Sequence, residues 1–271
     1  MKCKICSSPS LFFYKGIVLE KYDVTYCKCE QCGFIQTEEP YWLSEAYESA
    51  ITNLDIGLVS RNLYLKEEVP KIINSFFEKS RIMIDYGGGY GLFVRMMRDL
   101  GYHFYRQDIY CENLFAKHFD IKDVEHSTFD ILTTFEVFEH LNHPLPEIEK
   151  MFLLSENIIF TTLLAPDNAE DFKNWWYLAP TTGQHISFYT EASLAFIAKK
   201  YNKHFYTNKN NLHVFSNEKI GDSTVEKVFT GPQKDSLWKK IRNHFSYPKI
   251  QHQSLLQNDF EFIKSKIGQK I

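Results

Sequence analysis

A glycine-dense loop between an apolar run and a helix-period segment constrains this chain more than any other feature. Ile82-Met83-Ile84 reads as a short strand, and Asp85-Tyr86-Gly87-Gly88-Gly89-Tyr90-Gly91 follows it. Leu92, Phe93, Met96, Met97 and Leu100 then recur at helical spacing, and Gly101 closes that helix as a C-cap would. Glycines here let the backbone approach a ligand closely, next to the N–H groups of a helix start. A P-loop requires Gly-Lys-Ser/Thr after the loop, which Leu92-Phe93 excludes. A dinucleotide loop remains formally open through Gly87, Gly89 and position 92. The acidic Asp85 at the strand end suits a third reading, a cationic amino acid ligand whose α-amino group needs a carboxylate nearby.

The surrounding pattern predicts an α/β fold. Residues 103–109, 129–135 and 157–162 read as further strands, and helices of ordinary length separate them, which implies a parallel sheet with helices on both faces. The second strand ends at Asp108, 23 residues after Asp85. A carboxylate there can accept both hydroxyls of a ribose; the alternative is a cap for the next helix. Four regions follow from composition and period: 1–38, 39–79, 80–217 and 218–271. Within 39–79, Leu54, Leu58, Leu63, Leu65, Val69, Ile72, Ile73, Phe76 and Phe77 give recurrent apolar faces, and Pro70 is expected to open a new helix. In the last region Leu237, Trp238, Ile241 and Phe245 suit one amphipathic helix. Leu255, Leu256, Phe260, Ile263 and Ile267 suit another.

With these residues in place, the chain resembles the class I S-adenosylmethionine (SAM)-dependent methyltransferases over roughly residues 45–215. The resemblance rests on residues 85–91, on Asp108, on Phe129-Asp130-Ile131-Leu132, and on Glu136-Val137-Phe138-Glu139-His140-Leu141 followed by Pro144. It implies a Rossmann-like sheet, with Asp85, Gly87, Gly89 and Gly91 near the methionine portion of SAM. It further implies that Asp108 holds the ribose and that Thr134 and Phe135 line the pocket floor. The segment matching the adenine loop, near Asp120 to Glu125, departs from the family pattern, and no adenine residue is assigned.

Two clusters bear on catalysis. Glu136, Glu139 and His140 share one face if helical. His140 would be a general base, with Glu139 beside it, or the three would bind a divalent cation, as in ubiquinone-biosynthesis O-methyltransferases with the same pattern; a structural brace is the third reading. Downstream, Trp175, Trp176, Tyr177 and Gln184 are candidate acceptor contacts, because aromatic faces stack on sugars and amides hydrogen-bond to them. His185 is the second candidate base, or it orients the turn before a helix capped by Thr190. The stretch Gly183-Gln184-His185-Ile186-Ser187-Phe188-Tyr189-Thr190 resembles a segment of methyltransferases that modify sugars and surface polysaccharides.

Five of the six cysteines fall in the first 32 residues. Cys3-x-x-Cys6 and Cys29-x-x-Cys32 are paired knuckles whose four thiolates suit a structural tetrahedral zinc site. Cys27 is an extra thiol, either a spare or an alternative ligand, and Cys111 stands alone as a pocket or core residue. A zinc module ahead of a SAM domain resembles sugar-modifying methyltransferases, although only a short helical extension follows the core.

Lys plus Arg is 31 and Asp plus Glu 34, for a formal charge of −3. That balance, with only the short Lys239, Lys240, Arg242 cluster, argues against nucleic acid as a partner. No apolar run approaches a membrane span, and no signal sequence is evident, so a cytoplasmic enzyme is expected. The sequence therefore predicts a SAM-dependent methyltransferase acting on a small polar acceptor, by O-methylation of a carbohydrate, nucleotide-linked sugar or surface-polysaccharide precursor. Another small molecule (a quinol, a phosphate ester or a natural product) is the runner-up, and a zinc-ribbon RNA methyltransferase the more distant alternative.

Overall fold

The computed structural model describes residues 1–48, 55–230 and 252–268. In chain order these form β1 (Ser10–Val18), β2 (Tyr22–Cys29), β3 (Ile35–Thr37), α1 (Leu43–Ala46), α2 (Leu58–Phe76), β4 (Ile82–Tyr86), α3 (Leu92–Asp99) and β5 (His103–Gln107). They continue with β6 (Ile131–Phe135), α4 (Pro144–Leu154), β7 (Ile158–Thr161), α5 (Ala169–Lys173), β8 (Ser187–Phe188), α6 (Glu191–Lys200), β9 (His204–Thr207), β10 (Leu212–Ser216), α7 (Asp222–Phe229) and α8 (Leu256–Gly268). Two units divide the chain: Met1–Ile56 with Leu132–Glu218, and Gly57–Ile131 with Lys219–Ile271.

The second of these units holds the glycine loop. Strands β4 and β5 pair in parallel from Ile82↔His103 to Tyr86↔Gln107, with α3 as the crossover. The apolar face of α3 buries Phe93, Val94 and Met97, and Gly101 at φ +91° follows its end. Pro70 does not open a helix; it lies inside the continuous α2, which buries Leu65, Val69, Ile72 and Ile73. Burial of that face outweighs the one ladder hydrogen bond that proline removes. The candidate helix at Leu237, Trp238, Ile241 and Phe245 lies outside the described residues, as do Leu54, Lys239, Lys240 and Arg242.

Helix α8 does form, but the apolar face expected to seat it is not buried. Leu256 is 56% and Phe260 58% exposed, whereas Asp259 is 5% exposed. Arg98 Nε and a terminal guanidinium nitrogen donate to the two Asp259 oxygens at 2.8 and 2.6 Å. Arg98 also lies 3.6 Å from the Phe119 ring centroid. A buried guanidinium needs a carboxylate more than the helix needs its leucine covered, and this ion pair decides which face docks.

In the first unit, β6 and β7 are parallel around α4, and β10 then joins β7 and β9 antiparallel. The β9–β10 connection is a short asparagine-rich turn, too short for a parallel crossover, so the sheet is mixed rather than wholly parallel. Phe138 stacks on Phe160 at 4.3 Å in its core. The N-terminal residues build a separate antiparallel sheet, β1-β2-β3-β8, over a core that includes Val24, Tyr26, Trp42, Phe172 and Phe188. Parallel β-α-β pairing in each unit is the Rossmann-like α/β architecture the sequence predicts, and the antiparallel pairs of β10 in the first unit depart from the wholly parallel sheet expected. Among the described residues no helix is long and apolar enough to cross a membrane.

Candidate active site

The glycine loop is a bare backbone saddle held from below. Gly87, Gly89 and Gly91 adopt φ of +71°, +53° and +84°, values that side chains disfavour. At Gly91 a Cβ would also come within 2.8 Å of Asn113 Oδ1. Asp108 Oδ2 accepts the Gly89 N–H at 2.9 Å, and its Oδ1 accepts those of Tyr110 and Cys111 at 2.8 Å each. No helix follows directly, so Asp108 organises a turn and ties it to the loop instead of capping a helix. Asp85 is 2% exposed and packs under Gly88, where a Cβ would meet its Oδ2 at 2.8 Å.

Arg106, which sequence reasoning passed over, is the buried brace of this loop. It donates to the carbonyls of Gly89 and Cys111 and pairs with Asp120 at 2.7 Å. Its signal in the sequence was an arginine two residues before a strand-end aspartate, which no periodicity marks. Burial and the neighbouring Asp108 push the Cys111 thiol up, which disfavours its use as a nucleophile. Glycine backbone at 87, 88, 89 and 91, with the Asp108 carboxylate bonded to the Gly89 N–H, fits an extended ligand joining an amino acid to a ribose, as SAM does.

The histidines are carried by the other unit. Glu136, Glu139 and His140 do not lie on one helix: a single 3₁₀ turn spans Phe138–His140, and Glu136 precedes it at φ +55°. The Glu136 carboxylate accepts from Thr161 Oγ1 at 2.8 Å. Glu139 is fully buried, and its oxygens lie within 4.8 Å of ligand nitrogens of His140 and His185. His140 Nδ1 lies 3.2 Å from the Gln184 carbonyl and 3.0 Å from the Tyr47 hydroxyl. His185 Nδ1 lies 2.6 Å from the Tyr177 carbonyl. A carbonyl can only accept, so the 2.6 Å contact suits a donating Nδ1 on His185, whereas His140 Nδ1 faces both a carbonyl and a hydroxyl that can act either way. The two rings meet edge to face at 4.9 Å.

Trp176 is 76% exposed, while Trp175 packs against Phe172 and Phe188. Tyr177 is buried with its ring 4.6 Å from His185. Burial and the Glu139 and Glu136 charges hold its phenol well above the ordinary range, and it stays protonated. Gln184 is also buried, donating to the Ala46 carbonyl at 2.8 Å. Thr134 is fully buried and Phe135 half-buried at the end of β6.

The sulfurs of Cys3, Cys6, Cys29 and Cys32 lie within 4.8 Å of one another, with Cys3–Cys32 at 3.6 Å and Cys6–Cys29 at 3.3 Å. Four thiolates about 2.3 Å from one zinc ion stand about 3.8 Å apart, so this donor set fits a tetrahedral metal. The contact with Cys32 holds Cys3 well below the usual thiol range, and that contact with burial pushes Cys32 up. Cys27 is outside this group of four among the described residues, on the β2 strand where it pairs with Phe12 and Gln36.

A family model described as a methyltransferase domain matches residues 61–203. No curated protein matches the chain. Among solved structures, the chain is similar to magnesium protoporphyrin IX methyltransferase from Synechocystis PCC 6803 with bound SAM. Identity is 15%, the match covers 64% of this chain and 89% of that one, and the TM-score is 0.39. The plantazolicin methyltransferase BpumL, solved with the demethylated product SAH, is 10% identical over 66% of this chain and 95% of its own, at a TM-score of 0.43. The mitomycin 7-O-methyltransferase MmcR is 12% identical over 65% and 60%, at 0.39.

Proposed function

The chain belongs to the methyltransferase-domain family and is a SAM-dependent methyltransferase, and from that premise we propose that it methylates a hydroxyl of a carbohydrate or nucleotide-linked sugar. The observation that carries this reading is the pair of imidazoles, His140 and His185, meeting edge to face at 4.9 Å beside the buried Glu139 carboxylate. When bound, SAM supplies an electrophilic sulfonium methyl. Gly87, Gly89 and Gly91 would seat its methionine portion, Asp85 the charge of its amino group and Asp108 its ribose, with Thr134 and Phe135 as pocket floor. His140 or His185 would take the hydroxyl proton as the oxygen attacks in line, a role that contributes roughly 10² to 10⁴ in rate. The buried Glu139 carboxylate beside His140 would stabilise the imidazolium that forms. The exposed Trp176 offers an aromatic face for a sugar ring, with Trp175, Tyr177 and Gln184 shaping the segment behind it.

A second reading is favoured by the grouping of Glu139, His140 and His185. One ring nitrogen from each histidine and a carboxylate oxygen, all within 4.8 Å of one another, form a donor set for a divalent cation, in place of the Glu136, Glu139 and His140 set expected from sequence. We further infer that Cys3, Cys6, Cys29 and Cys32 hold one structural zinc, and that the enzyme is cytoplasmic and does not act on nucleic acid.

The test is transfer of labelled methyl from SAM to a panel of nucleotide-linked sugars and of quinols, run with and without chelator. Labelling of a sugar, insensitive to chelator, supports the first reading. Labelling of a quinol overturns the acceptor class, and loss of activity on brief chelation with zinc still in the cysteine cluster moves the histidines to the cation reading.

A further inference from the structure

The cysteine pairs flank residues that do more than hold sulfur. Strand β3 begins at Ile35, just after the second pair, and pairs with β8 through Ile35↔Phe188 and Gln36↔Ser187. The Thr37 N–H extends the ladder to the Ile186 carbonyl at 3.2 Å. His185 immediately precedes Ile186, so one histidine rides on this strand.

The other histidine hangs from the same strand. The carbonyls of Phe138, Glu139 and Leu141 accept from Tyr189 Oη at 3.1 Å, Ile186 N–H at 2.9 Å and Ser187 Oγ at 2.7 Å. Residues 186–189 therefore carry the turn that bears His140. Strand β3 has three residues, held on its other edge by β2, but β8 has only two and enters the sheet through β3, too few to hold a register without further support.

Two side chains join that assembly to the cysteine pairs. Lys4, inside the first pair, donates from Nζ to Asn142 Oδ1 at 2.6 Å, while its N–H donates to Gln36 Oε1 at 2.8 Å. Thr190 Oγ1 donates to the Cys32 carbonyl at 2.7 Å. We propose that the four-cysteine cluster sets the spacing of His140 and His185 through the β3–β8 pair, with Lys4 and Thr190 as positioning residues. Closing residues 3 and 32 on one centre removes the freedom that such short strands cannot remove alone. Only the chelation arm below rests on the reading that the cluster holds zinc.

The experiment follows histidine ring resonances in the full chain, assigned through His140→Gln and His185→Gln. His213 serves as the internal control, since it is buried in the same unit between the Thr162 carbonyl and Thr207 Oγ1. Lys4→Met is expected to move the His140 signal, and Lys4→Arg, which still donates, to restore it. Thr190→Asp keeps the oxygen that caps Ser193 but loses the donor to Cys32, and is expected to move the His185 signal. Chelation that empties the cluster is expected to move both signals and to speed exchange of the Ile186 amide roughly tenfold. His140 and His185 signals that stay in place in Lys4→Met and Thr190→Asp, with His213 also in place, overturn the proposal. Should Lys4→Met unfold, the milder Asn142→Leu takes its place under the same criterion. Freshly purified protein without zinc refutes the metal reading alone, and the Lys4 and Thr190 variants still decide this one.

Discussion

Asp108 has two separable jobs, and replacing it in two ways tells them apart. Its Oδ1 accepts two N–H groups of the following turn, and its Oδ2 accepts the Gly89 N–H of the loop. Each is a charge-assisted bond, but the group is half-exposed and water replaces part of each, leaving about 1 kcal/mol apiece. Asp108→Ala loses all three together with any ribose contact, so SAH affinity is expected to fall by about 3 kcal/mol, roughly 150-fold. Asp108→Asn can keep an oxygen on Tyr110 and Cys111 while its amide turns an N–H toward Gly89, losing the loop tether alone. The expected loss is about 1 to 1.5 kcal/mol, roughly tenfold. Calorimetric titration with SAH reads both values, with circular dichroism to show that the fold persists. Equal affinities for the unmutated protein and Asp108→Ala would refute the placement of the cofactor on this loop.

Further outcomes follow from other sites. Asp259→Ala leaves the buried Arg98 without its carboxylate, and urea unfolding should show a loss of about 3 to 5 kcal/mol; Arg98→Met with Asp259→Leu should recover most of it. Burial of the His213 imidazole holds its pKa down to about 4, against 6.5 unperturbed. The unfolded chain therefore takes up a proton that the folded one refuses. Stability should fall as pH drops from 6.5 to 4, by at most about 3 kcal/mol, and His213→Gln should flatten that slope in urea titrations across pH. His140→Gln and His185→Gln should each leave SAH binding within about twofold, and the one that removes the base should lower methyl transfer by roughly 10² to 10⁴. Cys3→Ser with Cys29→Ser should abolish zinc in elemental analysis, against one ion per chain in the unmutated protein.

The glycine loop and the cysteine pairs were legible because each is local: strand, loop and helix adjoin in sequence, and each C-x-x-C pair is a single knuckle. The helical face drawn through Glu136, Glu139 and His140 was not, because a left-handed residue at Glu136 ends the strand and leaves room for one 3₁₀ turn. His185 joined the cluster through β8, a two-residue strand that no periodicity can reveal. Arg106 and Arg98 escaped notice for a related reason. A buried arginine reads as surface until its carboxylates, Asp120 and Asp259, are brought to it by the fold. Local chemistry could be read from the string of residues; side-chain pairing between separate elements, from Arg106 with Asp120 to Arg98 with Asp259, could not.

The central claim is that the loop from Asp85 to Gly91, with Asp108, binds SAM. Titration of the unmutated full chain with SAH, and in parallel with NAD, tests it most directly. One SAH bound per chain, with no heat on addition of NAD, is the expected result. NAD binding without SAH binding would contradict it.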